Sequence, residues 1–88
     1  MAVLIDHPLW EWRGERWCHL VSDESYEELH RFAARMGIPP QAFQGDHYDI
    51  PERLYEPAVA LGARPTPSRE LVRRLRSAGL RRRRRPVG

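Results

Sequence analysis

Proline and glycine interrupt this chain so often that it can fold only from short elements. Breaks at Pro8, Gly14, Gly37, Pro39-Pro40, Gly45, Pro51, Pro57, Gly62, Pro65 and Pro67 leave segments long enough for strands of a few residues and helices of three turns or fewer. With 88 residues in all, such elements can close around one modest core, so residues 1–80 are expected to form a single compact domain. No apolar run approaches the roughly 18 residues of a membrane span, and none is expected here.

Ala2 to Ile5, rich in branched residues and closed by Asp6 and His7-Pro8, reads as a buried strand. Residues 7–16 show no clear period and read as a loop carrying Trp10 and Trp12. Trp17 to Ser22 is strand-like again. Ser25 and Glu28 make a capping-box pattern for a helix whose inner face is Leu29, Phe32, Ala33 and Met36, ended by Gly37. A connector with a turn near Gln41 to Phe43 leads to His47 through Ile50, read as extended. Asp49 is placed to cap a helix starting near Pro51 and Glu52, which Pro57 should kink or divide. Ala63 to Pro65 fits a brief edge strand. Thr66-Pro67 opens a last helix with Leu71, Val72 and Leu75 as its inner stripe. The expected fold is α/β, a small mostly parallel sheet of three or four short strands with about three helices. Residues 81–88 read as a disordered arginine-rich tail.

Charge divides the chain. All 15 basic residues are arginine, a skew that reads as the composition of a GC-rich bacterial genome. Residues 69–85 hold nine arginines against Glu70, whereas residues 1–68 hold six against eleven carboxylates, so an acidic body carries a basic end. The N-terminus lacks the basic start and apolar stretch of a secretory signal, and the lone Cys18 can form neither an internal disulfide nor a thiolate cluster, which points to the cytoplasm.

Three places carry residues suited to chemistry. Strand alternation puts His19 on one face with Trp17 and Val21, and Cys18 on the other with Leu20. An imidazole in an apolar strand is either a satisfied core histidine or a ligand or base near neutral pH. Cys18, turned away from it, reads as buried and inert. In Asp46-His47-Tyr48-Asp49, an extended backbone projects His47 and Asp49 to the same side, where a carboxylate can orient an imidazole or share a metal with it. The competing reading is a Gly45-Asp46 turn followed by an Asp49 cap. Asp6 ends the first strand, where ligands of open α/β sheets bind, though strand-end aspartates also occur without function.

His19, His47 and Asp49 are therefore the candidate catalytic residues and the candidate ligands of a divalent transition metal, with Asp6, Tyr48, His30 and Arg69 as candidate binding residues. No spacing matches HExxH, CxxC or a phosphate-binding glycine loop.

At Asp6, Trp17-Cys18-His19, Glu28-Leu29-His30, Gln44 to Asp49, Gly62-Ala63 and Ser68-Arg69-Glu70-Leu71, the chain resembles a small bacterial and phage family known only as a domain of unknown function, number 4031. The resemblance covers most of residues 1–80 and implies that this stretch is a complete unit sharing one site. It carries no activity over. His7 departs from the family, which often has a second aspartate there, so a metal held by paired carboxylates would be held differently here.

Two functions fit. One is a hydrolase or phosphoesterase-like enzyme, metal-dependent or acid–base, acting on a small anionic ligand that Arg69 contacts. So short a chain encloses a pocket poorly, which favours a homodimer or a partner protein. The other is a non-enzymatic module whose basic last helix and tail touch nucleic acid or an acidic partner. A third use is structural, with Trp10, Trp12 and Trp17 closing over the histidines.

Overall fold

The computed structural model describes residues 2–82. Strand β1 (Val3–Ile5) is followed by β2 (Trp10–Trp12) and the long β3 (Glu15–Ser22). Helix α1 (Tyr26–Arg35), a 3-10 turn (Pro40–Ala42) and β4 (Tyr48–Pro51) come next. A second 3-10 turn (Glu52–Leu54) runs into α2 (Tyr55–Ala60), then β5 (Arg64–Pro65) and α3 (Ser68–Ser77).

The α/β class holds, but the sheet is mostly antiparallel, which corrects the expected mostly parallel one. β3 pairs antiparallel with β1, β2 and β4, and only β1 with β5 is parallel. Trp17 faces both Trp10 and Pro51, and Leu20 faces both Ile5 and Tyr48. β1 and β2 therefore lie end to end along one edge of β3, with β4 along the other. The physical reason for the correction lies at residues 13 and 14. Arg13 and Gly14 both have positive φ, 52° and 77°, the conformation of a two-residue hairpin turn whose twist matches its strands. That turn folds Trp10–Trp12 onto β3, so the region read as a loop is a strand, its Trp-Glu-Trp alternation masked by flanking charge.

Helices cover both faces. On one side Cys18, Leu20, Tyr48 and Ile50 pack with Leu29, Phe32, Ala33 and Ala58 of α1 and α2. On the other, Leu4 and Val21 meet Leu71 and Leu75 of α3. Cys18 is fully buried, donates weakly to the Ile50 carbonyl, and has its thiol pushed up to about 12 by burial, which removes it as a nucleophile near neutral pH.

The helix starts are locally encoded. Ser25 caps α1, its Oγ accepting from the Glu28 amide at 3.0 Å. The reciprocal half of the box is missing, because the Glu28 carboxylate accepts from Ser22 Oγ instead, and that same oxygen accepts from the Ser25 amide. Ser25→Ala is expected to cost about 1 kcal/mol in urea denaturation, and an unchanged midpoint would contradict the cap. Pro57 is the third residue of α2, within a first turn whose amides have no intrahelical partner, so it neither kinks nor divides the helix. The break lies earlier, where the 3-10 turn ends at Leu54. Asp49 does not cap this segment either. It lies inside β4, and Pro51 precedes the 3-10 turn without a side-chain cap.

Asp23 ties three elements together, accepting from the Ala2 amide at 2.7 Å and from Arg74 of α3 at 2.6 Å. Burial pushes its carboxyl up, but the Ala2 amide and the Arg74 guanidinium outweigh that and hold it below the ordinary range. A carboxyl lowered in the folded state contributes stability that is present above its unfolded value near pH 4 and lost as pH falls through the lower folded value. Asp23→Asn is accordingly expected to flatten the acid limb of stability below about pH 4, measured by thermal unfolding across that range. A variant with the parent's acid slope would refute the clamp.

Candidate metal centre

The site grows out of the antiparallel pairing of β3 with β4. His19 is in register with Asp49, so both side chains stand on the same face, the one toward α3. His47 lies just before β4, two residues from Asp49, and projects the same way. The two imidazoles meet edge to face with centroids 5.2 Å apart. One ligand atom from each of His19, His47 and Asp49 falls within 4.8 Å of the others.

Each ring is anchored from behind by a buried carboxylate. Asp6, 1% exposed, places Oδ2 2.7 Å from His19 Nδ1 and Oδ1 2.6 Å from the His19 amide, and accepts from Ser68 Oγ at 2.7 Å. Asp46, 3% exposed, places Oδ1 2.6 Å from His47 Nδ1, while its Oδ2 accepts from the Arg82 amide at 3.0 Å and faces Arg81 at 3.4 Å. Burial pushes both carboxyls up. Hydrogen bonds from the histidines, backed by Ser68 at Asp6 and by the Arg82 amide at Asp46, outweigh it and leave both below the ordinary aspartate range.

A carboxylate at Nδ1 draws the ring proton there and leaves the Nε2 lone pair free to point elsewhere. Both Nε2 atoms point toward Asp49 Oδ1, at 3.1 Å for His47 and 3.9 Å for His19. That oxygen is buried and, among the described residues, is met by no hydrogen bond beyond the approach of these two ring nitrogens. Burial lowers the His47 imidazole, but the Asp49 and Asp46 carboxylates on either side outweigh it and raise it above its ordinary value. Two ring nitrogens and one carboxylate oxygen thus converge, a donor set suited to a divalent transition metal, which would displace the proton that the two carboxylates favour on His47.

Two openings flank the cluster. A small cavity of about 140 Å³ is lined by Asp6, His19, His47, Ser68 and Arg81, closed below by Leu71 and Leu75. On the other side a groove of about 480 Å³ runs from Asp49 past Gln44 to Trp10, Trp12 and Trp17. The tryptophans do not seal the histidines. Trp10 packs on the His19 ring at 4.6 Å, while the His19 side chain stays 37% exposed.

Of the residues singled out in the sequence, Asp6, His19, His47 and Asp49 come together. His30 and Tyr48 do not join them. Tyr48 turns to the α1 face, where its hydroxyl lies 2.7 Å from His30 Nδ1 with Phe43 packed beside both, so the expected shared cleft is divided by the sheet itself. Arg69 is exposed on the outer surface of α3 with Arg73 and Arg76, away from the cluster.

Arg81 takes the place beside the histidines. Arg81 and Arg82, grouped with the tail in the sequence, are held against Asp46 and Tyr26. The remainder of that stretch, residues 83–88, lies outside the described residues. Asp46 and Ser68 fall in segments that carry the family resemblance, but nothing local gives them a role, and nothing local marks Arg81. Asp46 was absorbed into a turn that does exist, a bend with Gly45 at φ 92°, and its contacts with residues 81 and 82 are distant in sequence.

A family model described as a protein of unknown function, DUF4031, matches residues 3–78. The chain belongs to that family. The DUF4031 span takes in every element from β1 to α3 and all of Asp6, His19, Asp46, His47, Asp49 and Ser68, and stops short of Arg81. No curated protein and no solved structure matches the chain. Among the described residues no helix is long and apolar enough to cross a membrane.

Proposed function

We propose that this chain is a metal-dependent hydrolase of phosphate esters, with His19 Nε2, His47 Nε2 and Asp49 Oδ1 as the protein ligands of one divalent transition metal. The observation that carries this reading is the orientation of the two imidazoles. Each Nδ1 is tied to a buried carboxylate, and both Nε2 atoms face one carboxylate oxygen, Asp49 Oδ1, at 3.1 and 3.9 Å. A histidine kept only for packing has no need of a buried aspartate to fix its tautomer, and two such pairs aimed at one point are the arrangement that orients the histidines of metal sites.

Three protein ligands leave coordination positions open to solvent, as a catalytic site requires. A bound ion would supply Lewis acidity and a water deprotonated near neutral pH. Arg81, on the wall of the smaller cavity, offers guanidinium donors to an anionic phosphate group. In the proposed reaction water adds at phosphorus, the ester P–O bond breaks, and the leaving oxygen takes up a proton.

The test uses untagged full-length protein. Elemental analysis is expected to find about one zinc, manganese or iron per chain. Hydrolysis of bis(p-nitrophenyl) phosphate should disappear with a chelator and return with the metal. Protein that neither retains nor binds these ions would end this reading.

A further inference from the structure

We infer that the tryptophan groove beside Asp49 is the seat of a nucleobase, so that the phosphate ester acted on is a nucleotide, free or within a single strand. This rests on the phosphoesterase reading above and assigns its substrate class. The groove begins at a ligand residue. Asp49 forms one end of it, and Trp10 lies against the His19 ring, so a molecule with its phosphate at the cluster has its next few ångströms among indoles.

The indoles are built to receive a flat ring. Trp12 is 53% exposed on an edge strand, an unusual place for so large an apolar surface. Trp17 is fixed by its Nε1–H donating to the Trp12 carbonyl at 2.9 Å, and the two rings stand 5.6 Å apart at 60°. The Arg13 guanidinium lies over the Trp12 ring at 4.5 Å, so one of the groove's indoles carries a positive charge beside it.

Gln44 is exposed on the groove wall, its amide making only a 3.5 Å contact with the Ala42 carbonyl. An amide carries both donors and an acceptor and can meet the edge of a base. Aromatic stacking for the base and cations with a metal for the phosphate are the two halves of nucleotide recognition. A neutral sugar would use the indoles but bring no phosphate to the cluster or to the cavity wall that Arg81 lines.

The experiment is isothermal titration calorimetry of full-length protein with adenosine 5′-monophosphate, ribose 5-phosphate, cellobiose and a thymidine octamer, repeated on Trp12→Ala and Trp12→Phe, with folding followed by circular dichroism. Adenosine monophosphate is expected to bind at least about tenfold more tightly than ribose 5-phosphate. Trp12→Ala should erase that advantage and Trp12→Phe should keep most of it, both with metal content unchanged. An octamer bound more tightly than the mononucleotide assigns the single strand as the source, and equal binding assigns the free nucleotide.

Equal affinity for the two phosphates, a Trp12→Ala variant that binds adenosine monophosphate as the parent does, or preference for cellobiose overturns the inference. The two readings fail separately. A metal-loaded, hydrolytic protein indifferent to the base keeps the metal centre and removes the groove. Base-dependent binding by a protein that takes up no metal keeps the groove and removes the metal centre.

Discussion

Asp6→Ala is expected to cost about 3 kcal/mol of folding stability and about 15 °C in Tm for a domain of this size. The carboxylate is 1% exposed and accepts from three donors that the variant leaves in place: the His19 amide, His19 Nδ1 and Ser68 Oγ. The His19 ring is partly open to water, so solvent can recover some of its loss. The amide inside β3 has much less recourse, and an unmet buried donor costs more than the bond it once made contributes.

Asp6 also links β1, β3 and the start of α3, so its removal loosens the junction of these two inner strands with the helix that covers them. Asp6→Asn separates structure from chemistry. Its oxygen can still accept from the His19 amide, while its NH₂ faces Nδ1 as a donor and drives the ring proton to Nε2. Stability should fall by only about 1 kcal/mol while metal affinity drops. Urea unfolding of both variants decides the matter, and Asp6→Ala unfolding at the parent's midpoint would mean that the carboxylate is not what holds this corner.

His47→Ala should abolish stoichiometric metal binding, because two remaining protein ligands on an open surface form no site of useful affinity. Asp46→Asn leaves all three ligands but removes the carboxylate that holds the His47 tautomer, and affinity should fall about 10- to 100-fold. Competition with a chromophoric chelator measures both. The graded order is the informative part, since a site held only by nonspecific charge would lose about as much from either change. Zinc bound by His47→Ala as tightly as by the parent would show that the imidazole is not a ligand.

What could be read from the residues follows the reach of the interactions involved. The strand at 17–22, the helix capped by Ser25, the edge strand near Arg64 and the last helix after Pro67 were legible because alternation, capping and proline geometry act within a few residues. The hairpin at Arg13-Gly14 was hidden, since its signal is a turn conformation and Pro8 and charged neighbours obscure the alternation beside it. Connections as long as these allow parallel pairing, yet β1 and β3 run antiparallel across a long connection that itself contains a strand.

At the site, alternation alone put His19 opposite Cys18 and His47 beside Asp49, and it should also have set Tyr48 apart from them. His30 follows Leu29 at the edge of the inner face of α1, and that position says nothing of which sheet face the helix covers.

By itself, then, the sequence determined most of the short elements, that Cys18 turns away from His19 and that His47 and Asp49 share a side, because each depends on backbone periodicity over a handful of residues. Only the tertiary structure decided that Asp6 and Asp46 stand behind the two imidazoles, that Arg81 replaces Arg69 at the rim, and that the tryptophans flank the cluster instead of sealing it. Those arrangements come from strand register and from the docking of α3 and the segment after it. Pairings between residues tens of positions apart are set by the free energy of the whole packed chain, which no local pattern carries.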